Sequence, residues 1–137
     1  MAYQKLGLTD LIAAIQKKIN EKTDTPCYDH VEKNTPSPFY YAEVVRIAPA
    51  NSKTMYRDNI TVNIHCIAEP ENSSVQIYKL IETLQEALTE DIVLPEPFEL
   101  IMQTDGGVQT IKTDETNEKH AVVPYTFMVC YGFKCKN

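Results

Sequence analysis

Asp58 to Leu88, DNITVNIHCIAEPENSSVQIYKLIETLQEAL, is the stretch whose pattern decides the fold. Ile60, Val62, Ile64, Cys66 and Ala68 alternate with Thr61, Asn63, His65, Ile67 and Glu69. One apolar face at a period of two is the pattern of a half-buried strand. Glu69-Pro70-Glu71-Asn72 breaks it. Ser73, with Gln76 three residues on, predicts a capping box in which Gln76 bonds back to the cap amide. Ile77, Leu80, Ile81, Leu84 and Leu88 then fall at helical offsets 0, 3, 4, 7 and 11, with Lys79, Glu82, Gln85 and Glu86 on the wet side. A strand with one apolar face and a helix with one apolar stripe leave water most simply by packing together.

Leu8, Leu11, Ile12, Ile15 and Ile19 repeat the same offsets and predict a first amphipathic helix over residues 8 to 21. Thr9 or Asp10 is placed to cap it, and Lys17, Lys18 and Lys22 suit its C-terminal end. Cys27 to Val31 is a short strand. Two prolines make Asn34 to Pro38 a turn. Phe39 to Ala48, rich in aromatic and β-branched residues, reads as a strand. Ala50 to Arg57 reads as a polar loop carrying Lys53, Met55, Tyr56 and Arg57.

Beyond the second helix, Leu94 to Pro97 is a stiff connector and Phe98 to Thr104 a strand. Asp105-Gly106 predicts a hairpin turn, with Val108 to Lys112 returning. Thr113 to Lys119 reads as a charged, mobile loop. Ala121 to Phe133 is the last and longest strand. Both of its faces are apolar, and Pro124 removes a ladder donor, so an edge or a bulge is expected nearby. The order is α-β-β-β-α-β-β-β. Short connections imply a mostly antiparallel sheet with both helices on one face, a two-layer α+β fold.

The 137 residues are expected to form a single domain that buries its own core. A net charge of −6 argues against a nucleic-acid binder that relies on a basic patch. No signal peptide is recognisable and no apolar run is long enough to span a membrane, so a cytoplasmic setting is expected. The four cysteines, Cys27, Cys66, Cys130 and Cys135, are then expected as thiols, and Cys66 and Cys130 read as small core residues. Cys27 and His30 resemble half of a metal site, but no second half matches them, so no metal is expected.

Catalytic constellations are missing. The chain has no GxSxG, P-loop or GxGxxG. His65 reads as a surface histidine on the polar face of its strand. Glu69 with Glu71, Glu90-Asp91 and Asp114-Glu115 read as solvated loop charges. The tyrosines read as packing groups, because basic residues do not interleave with them. No cofactor is expected. What stands out is surface. The candidates for assembly contacts are Lys53, Met55, Tyr56 and Arg57 in the 49 to 57 loop, Asp105 and Val108 in the 105 to 119 region, and Tyr125 and Phe127 on the last strand.

TDLIAAIQKKI, the Pro-flanked PSPFYYAEVVRI, TVNIHCIAEP and SSVQIYKLIETLQEAL follow in an order that resembles the tail-terminator proteins of long-tailed phages and prophages, over residues 8 to 133. The resemblance implies a ring, usually hexameric, that caps the tail tube and joins it to the head connector while DNA passes through its lumen. It implies partners in other copies of itself, the tube protein and the connector protein, with no membrane. Assembly would take place in the host cytoplasm and end in the virion tail. It supplies no catalytic residues, and it leaves Cys135 and the C-terminal tail without a role. Two other classes stand beside it. One is a small ligand-binding or regulatory α+β domain. The other is an enzyme with dispersed residues around His65, Glu43 and Tyr41.

Overall fold

The apolar faces found in Asp58 to Leu88 meet. In the computed structural model, which describes residues 2–134 other than Asn72 and Thr116, strand β3 (Met55–Ile67) lies under helix α2 (Val75–Ala87). Ile60, Val62, Ile64 and Cys66 of the strand and Ile77, Leu80, Ile81 and Leu84 of the helix are buried in one core. Each such side chain contributes roughly 1.5–3 kcal/mol by leaving water. Helix α1 (Leu8–Lys22) adds Leu11, Ile12, Ala14, Ile15 and Ile19 to the same core. Tyr40, fully buried on β2 (Phe39–Pro49), ties the layers together by donating its hydroxyl to the Leu80 carbonyl of α2 at 2.7 Å.

The remaining strands are β1 (Cys27–Tyr28), β4 (Glu99–Asp105), β5 (Thr110–Thr113) and β6 (Lys119–Phe133). All six form one sheet in the order β1-β2-β3-β6-β4, with β5 also on β6. Among the described residues, only the β1–β2 pair is parallel. The fold is α+β with the expected element order.

Several local expectations are corrected. The 50 to 57 loop is shorter, because β3 starts at Met55. Met55, Tyr56 and Arg57 are strand residues, and the turn is Ala50 to Thr54, closed by Ser52 N–H to the Met55 carbonyl. Neither Thr9 nor Asp10 caps α1. Gly7 is the N-cap, and no side chain caps there. Ser73 Oγ does accept from Val75 N–H, but Gln76 bonds to the Glu69 amide and carboxylate, clamping the end of β3 instead of completing a capping box.

Asp105-Gly106 does not turn the chain. β4 and β5 both run antiparallel to β6, at Glu99↔Cys130 through Asp105↔Tyr125 and then Thr110↔Val122 through Thr113↔Lys119. They are two pieces of one column, interrupted at residues 106–109. Asp105 Oδ1 accepts from Gly107 N–H, and Gly107 takes φ +82, which suits a glycine. The turn that reverses the chain is Asp114 to Glu118, inside the segment read as a mobile loop. Asn117 there adopts φ 66, and Asp114 and Glu118 close the backbone.

The break faces Pro124. Gly106 N–H donates to the Pro124 carbonyl, and a strand residue presents its N–H and C=O on the same side. The missing proline donor therefore points into a ladder that is already interrupted. A bulge was expected near Pro124, and this is it. β6 is not an edge strand: β3 pairs along one side and β4 with β5 along the other.

Three single-residue bulges interrupt the ladders as well. Val45 is the extra residue between Val44↔Val62 and Arg46↔Thr61. Ile101 lies between Leu100↔Val129 and Met102↔Met128. Tyr131 lies between Arg57↔Cys130 and Tyr56↔Gly132. Val45 lies opposite the middle of β3, and Ile101 and Tyr131 sit toward the end of the sheet where β3 begins. There the covering layer is the N-terminal segment. Tyr3 lies on Gly132 and donates its hydroxyl to the Phe133 carbonyl at 2.9 Å, and Lys5 pairs with buried Asp58 at 3.2 Å.

Candidate assembly surfaces

The open strand edges are the first surface. At Tyr40, the β2 N–H points outward to the Pro26 carbonyl, and β1 covers only Tyr40 and Tyr41. By alternation the outward groups of Ala42 and Val44 lie beyond β1. Val45 and Ile47 are exposed along this edge. The opposite edge is the β4–β5 column, where Ile101, Met102, Val108 and Ile111 are exposed. Unpaired edges with apolar side chains are templates for another strand.

The second surface lies at the end where β3 starts. Tyr56 packs against Tyr3 at 4.8 Å between ring centroids and against Tyr131 at 6.0 Å. Lys5 lies over Tyr131 at 5.4 Å and Lys134 over Tyr56 at 5.2 Å, within cation–π range. Arg57 Nε donates to the Ala50 carbonyl and Lys134 Nζ to the Ser52 carbonyl, so both cations brace the 50–54 turn. Lys53 is exposed at its tip.

The predicted contact residues therefore separate. Lys53, Met55, Tyr56 and Arg57 gather at one end of the sheet. Asp105 and exposed Val108 flank the β4–β5 break, with Asp105 Oδ2 accepting from Gln85 at 3.1 Å. Tyr125 and Phe127 do not belong to a surface. They are buried under the helices, Tyr125 hydrogen bonded to Asp105 at 3.4 Å. Even parity along β6 faces outward and odd parity inward, so the proposed roles of Tyr125 and Phe127 are corrected to core packing. Burial and the Asp105 carboxylate push the Tyr125 phenol well above its ordinary value.

The helix-free face brings together in one row His65, Glu43 and Tyr41, the residues named for a dispersed enzyme, and adds His120, which the sequence reading left out. His65 Nε2 donates to Glu43 Oε1 at 3.1 Å, and His65 Nδ1 lies 2.8 Å from His120 Nε2. Tyr41 stacks on His65 at 5.2 Å. With His65 neutral, Glu43 fixes the proton on Nε2, and Nδ1 accepts from His120. Burial, His65 and Lys112 lower the His120 pKa, while Asp114 and Glu118 oppose them. The row joins β2, β3 and β6. The sequence reading of His65 as an isolated surface histidine is corrected, because the strand register supplies its carboxylate. Among the described residues, no group of three or more His, Cys, Asp or Glu side chains is arranged to hold a metal.

Elsewhere, Glu90 pairs with Lys22 at 2.6 Å and with Lys18 at 3.6 Å. Cys27 and Cys66 are buried thiols whose pKa values burial raises to about 12. Cys135 lies outside the described residues. Among the described residues, no helix is long and apolar enough to cross a membrane.

A sheet with two open edges and an aromatic, cationic end is the equipment of a structural subunit. The family model described as "Putative tail termination protein" matches residues 2–137. The chain belongs to this phage tail terminator family and is a structural protein of the phage tail. A chain in a structure named "Virion of native gene transfer agent (GTA) particle" is similar in fold, with a TM-score of 0.70 at 17% identity, over 89% of this chain and 96% of that one. No curated protein matches the sequence.

Proposed function

We propose that copies of this chain close into a ring, a hexamer, that caps the head-proximal end of the tail tube and joins it to the head connector. DNA passes through the lumen. The whole chain acts as one domain. It assembles in the host cytoplasm and remains in the virion.

The observation that carries the ring is the parity of the sheet. Apart from two-residue β1, the sheet has four columns, β2, β3, β6 and β4–β5, alternating in direction. Rotation about an axis along the strands brings the β4–β5 edge of one copy against β2 of the next. With an even number of columns that junction is antiparallel, and every copy keeps the same orientation. Such head-to-tail contacts close into rings when the rotation allows it. Ile101, Val108 and Ile111 on one edge and Val45 and Ile47 on the other supply apolar area.

Native mass spectrometry of the full chain over a concentration series tests this. A hexamer that Ile111→Lys converts to monomer supports the reading. A chain that stays monomeric, alone and on isolated tail tubes, refutes it.

A further inference from the structure

The two ends of the sheet differ in charge. β3 is 13 residues long, so the ends are separated by roughly 40 Å. The end where β3 starts gathers Lys5, Lys53, Arg57 and Lys134, against Asp58, Glu96 and Glu99. Asp58 is buried and paired with Lys5. Of the chain's two arginines, Arg57 lies here and Arg46 pairs with Thr61 at the middle of β3. The opposite end, where β3 finishes and β6 starts, carries Asp29, Glu32, Glu69, Glu71 and Glu115, with Asp114 and Glu118 in the turn, against Lys33, Lys112 and Lys119. A chain of net charge −6 therefore has one end that is basic.

That basic end also has apolar contact area. Tyr3 and Phe133 are exposed, beside the half-buried rings of Tyr56 and Tyr131. Aromatic residues and arginine, surrounded by charge, are the chemistry of protein-docking hot spots. The turn that carries Lys53 is held by Arg57, Lys134 and the Asn51 side chain, so little ordering remains to be done on docking.

We infer that this basic aromatic end docks an acidic protein surface, and that the acidic end does not. The inference rests on the ring reading, in which each copy adds its cations to one rim. A rim of like charge repels another basic rim and favours an anionic one. The occupant is a protein and not nucleic acid. Tyr3, Tyr56 and Tyr131 already pack on one another and under Lys5 and Lys134, so their faces are not free to take bases.

The test uses the full chain with isolated tail tubes and, separately, isolated heads, and follows attachment by co-sedimentation. Lys53→Glu, at an exposed tip, and Phe133→Ser are the variants at the basic end, and Glu115→Lys is the variant at the other. Native mass spectrometry and circular dichroism check that each variant assembles and folds. The expected result is that one attachment weakens with salt and falls about tenfold or more in both basic-end variants, while Glu115→Lys leaves it unchanged. Retention of both attachments by Lys53→Glu and Phe133→Ser overturns the inference while leaving the ring intact. Binding of a fluorescent 30-nucleotide DNA by the wild type, abolished by Lys53→Glu, overturns it in favour of nucleic acid. If the wild-type chain attaches to neither tubes nor heads, the tail reading falls and the inference with it.

Discussion

Gly132→Ala should change sign with its background. The Cβ of an alanine at 132 would stand 2.3 Å from Cδ1 and 2.6 Å from Cε1 of Tyr3. No real Cβ sits so close, so the ring must leave. Its departure removes the hydroxyl bond to the Phe133 carbonyl and the 4.8 Å packing against Tyr56. An exposed hydrogen bond contributes roughly 0.5–1.5 kcal/mol and an aromatic pair a similar amount, so the loss is about 1–3 kcal/mol. Without Tyr3 the clash is absent. Alanine then stabilises a strand interior relative to glycine by about 0.5–1 kcal/mol. Urea unfolding of wild type, Gly132→Ala, Tyr3→Ala and the double variant measures this as a cycle. The expected coupling is about 2 kcal/mol, with Gly132→Ala destabilising alone and mildly stabilising after Tyr3→Ala. Equal effects in both backgrounds would show that the N-terminal segment does not rest on the sheet, and the account of that end would fail.

Tyr40→Phe should cost about 1 kcal/mol in urea unfolding, because it removes one buried donor while the Leu80 carbonyl stays in the helix; Tyr40→Ala should cost about 3–5 kcal/mol. Stability should fall as pH drops below 6.5, the ordinary His120 value. The folded pKa of His120 is depressed, so the unfolded chain takes up its proton first. The contribution is complete above 6.5 and lost as pH falls through 6.5 toward the folded value. Unfolding midpoints between about pH 7.5 and 5.5 should show a drop that His120→Asn flattens. Cys27 and Cys66, with pKa values raised to about 12, should resist a thiol reagent at about pH 8 until urea unfolds the chain, as read by mass mapping.

The core could be read from the sequence because it depends on local periodicity. The stripes of α1 and α2 and the inward residues of β3 hold as expected from Leu11 to Leu84, and only Leu8, at the open end of the α1 stripe, is exposed. What depended on partner strands could not be read. Asp105-Gly106 has hairpin chemistry, yet β6 has a proline opposite, and the break takes the glycines instead. Tyr125 and Phe127 belong to a strand apolar on both faces, and only the register tells which face meets the helices. Glu43, His65 and His120 lie on three strands far apart in sequence, and pairing alone brings them within bonding distance. Tyr3 and Lys5, in a segment without helix or strand pattern, gave no signal of docking on Gly132 and Asp58.

The two bulges at Ile101 and Tyr131 carry a consequence for how this tail protein can diverge. Each lets the sheet continue with one residue out of step, so the strand segments beyond it are set independently of the body. Deleting Tyr131 would turn Gly132 and Phe133 over while leaving Ala121 to Val129 in place. The bulges thus act as a seam. On one side lies a body whose sequence is constrained by the helices. On the other lies a short piece of sheet whose faces can be exchanged by adding or losing single residues, so a lineage could refit one end to a new neighbour without rebuilding the core.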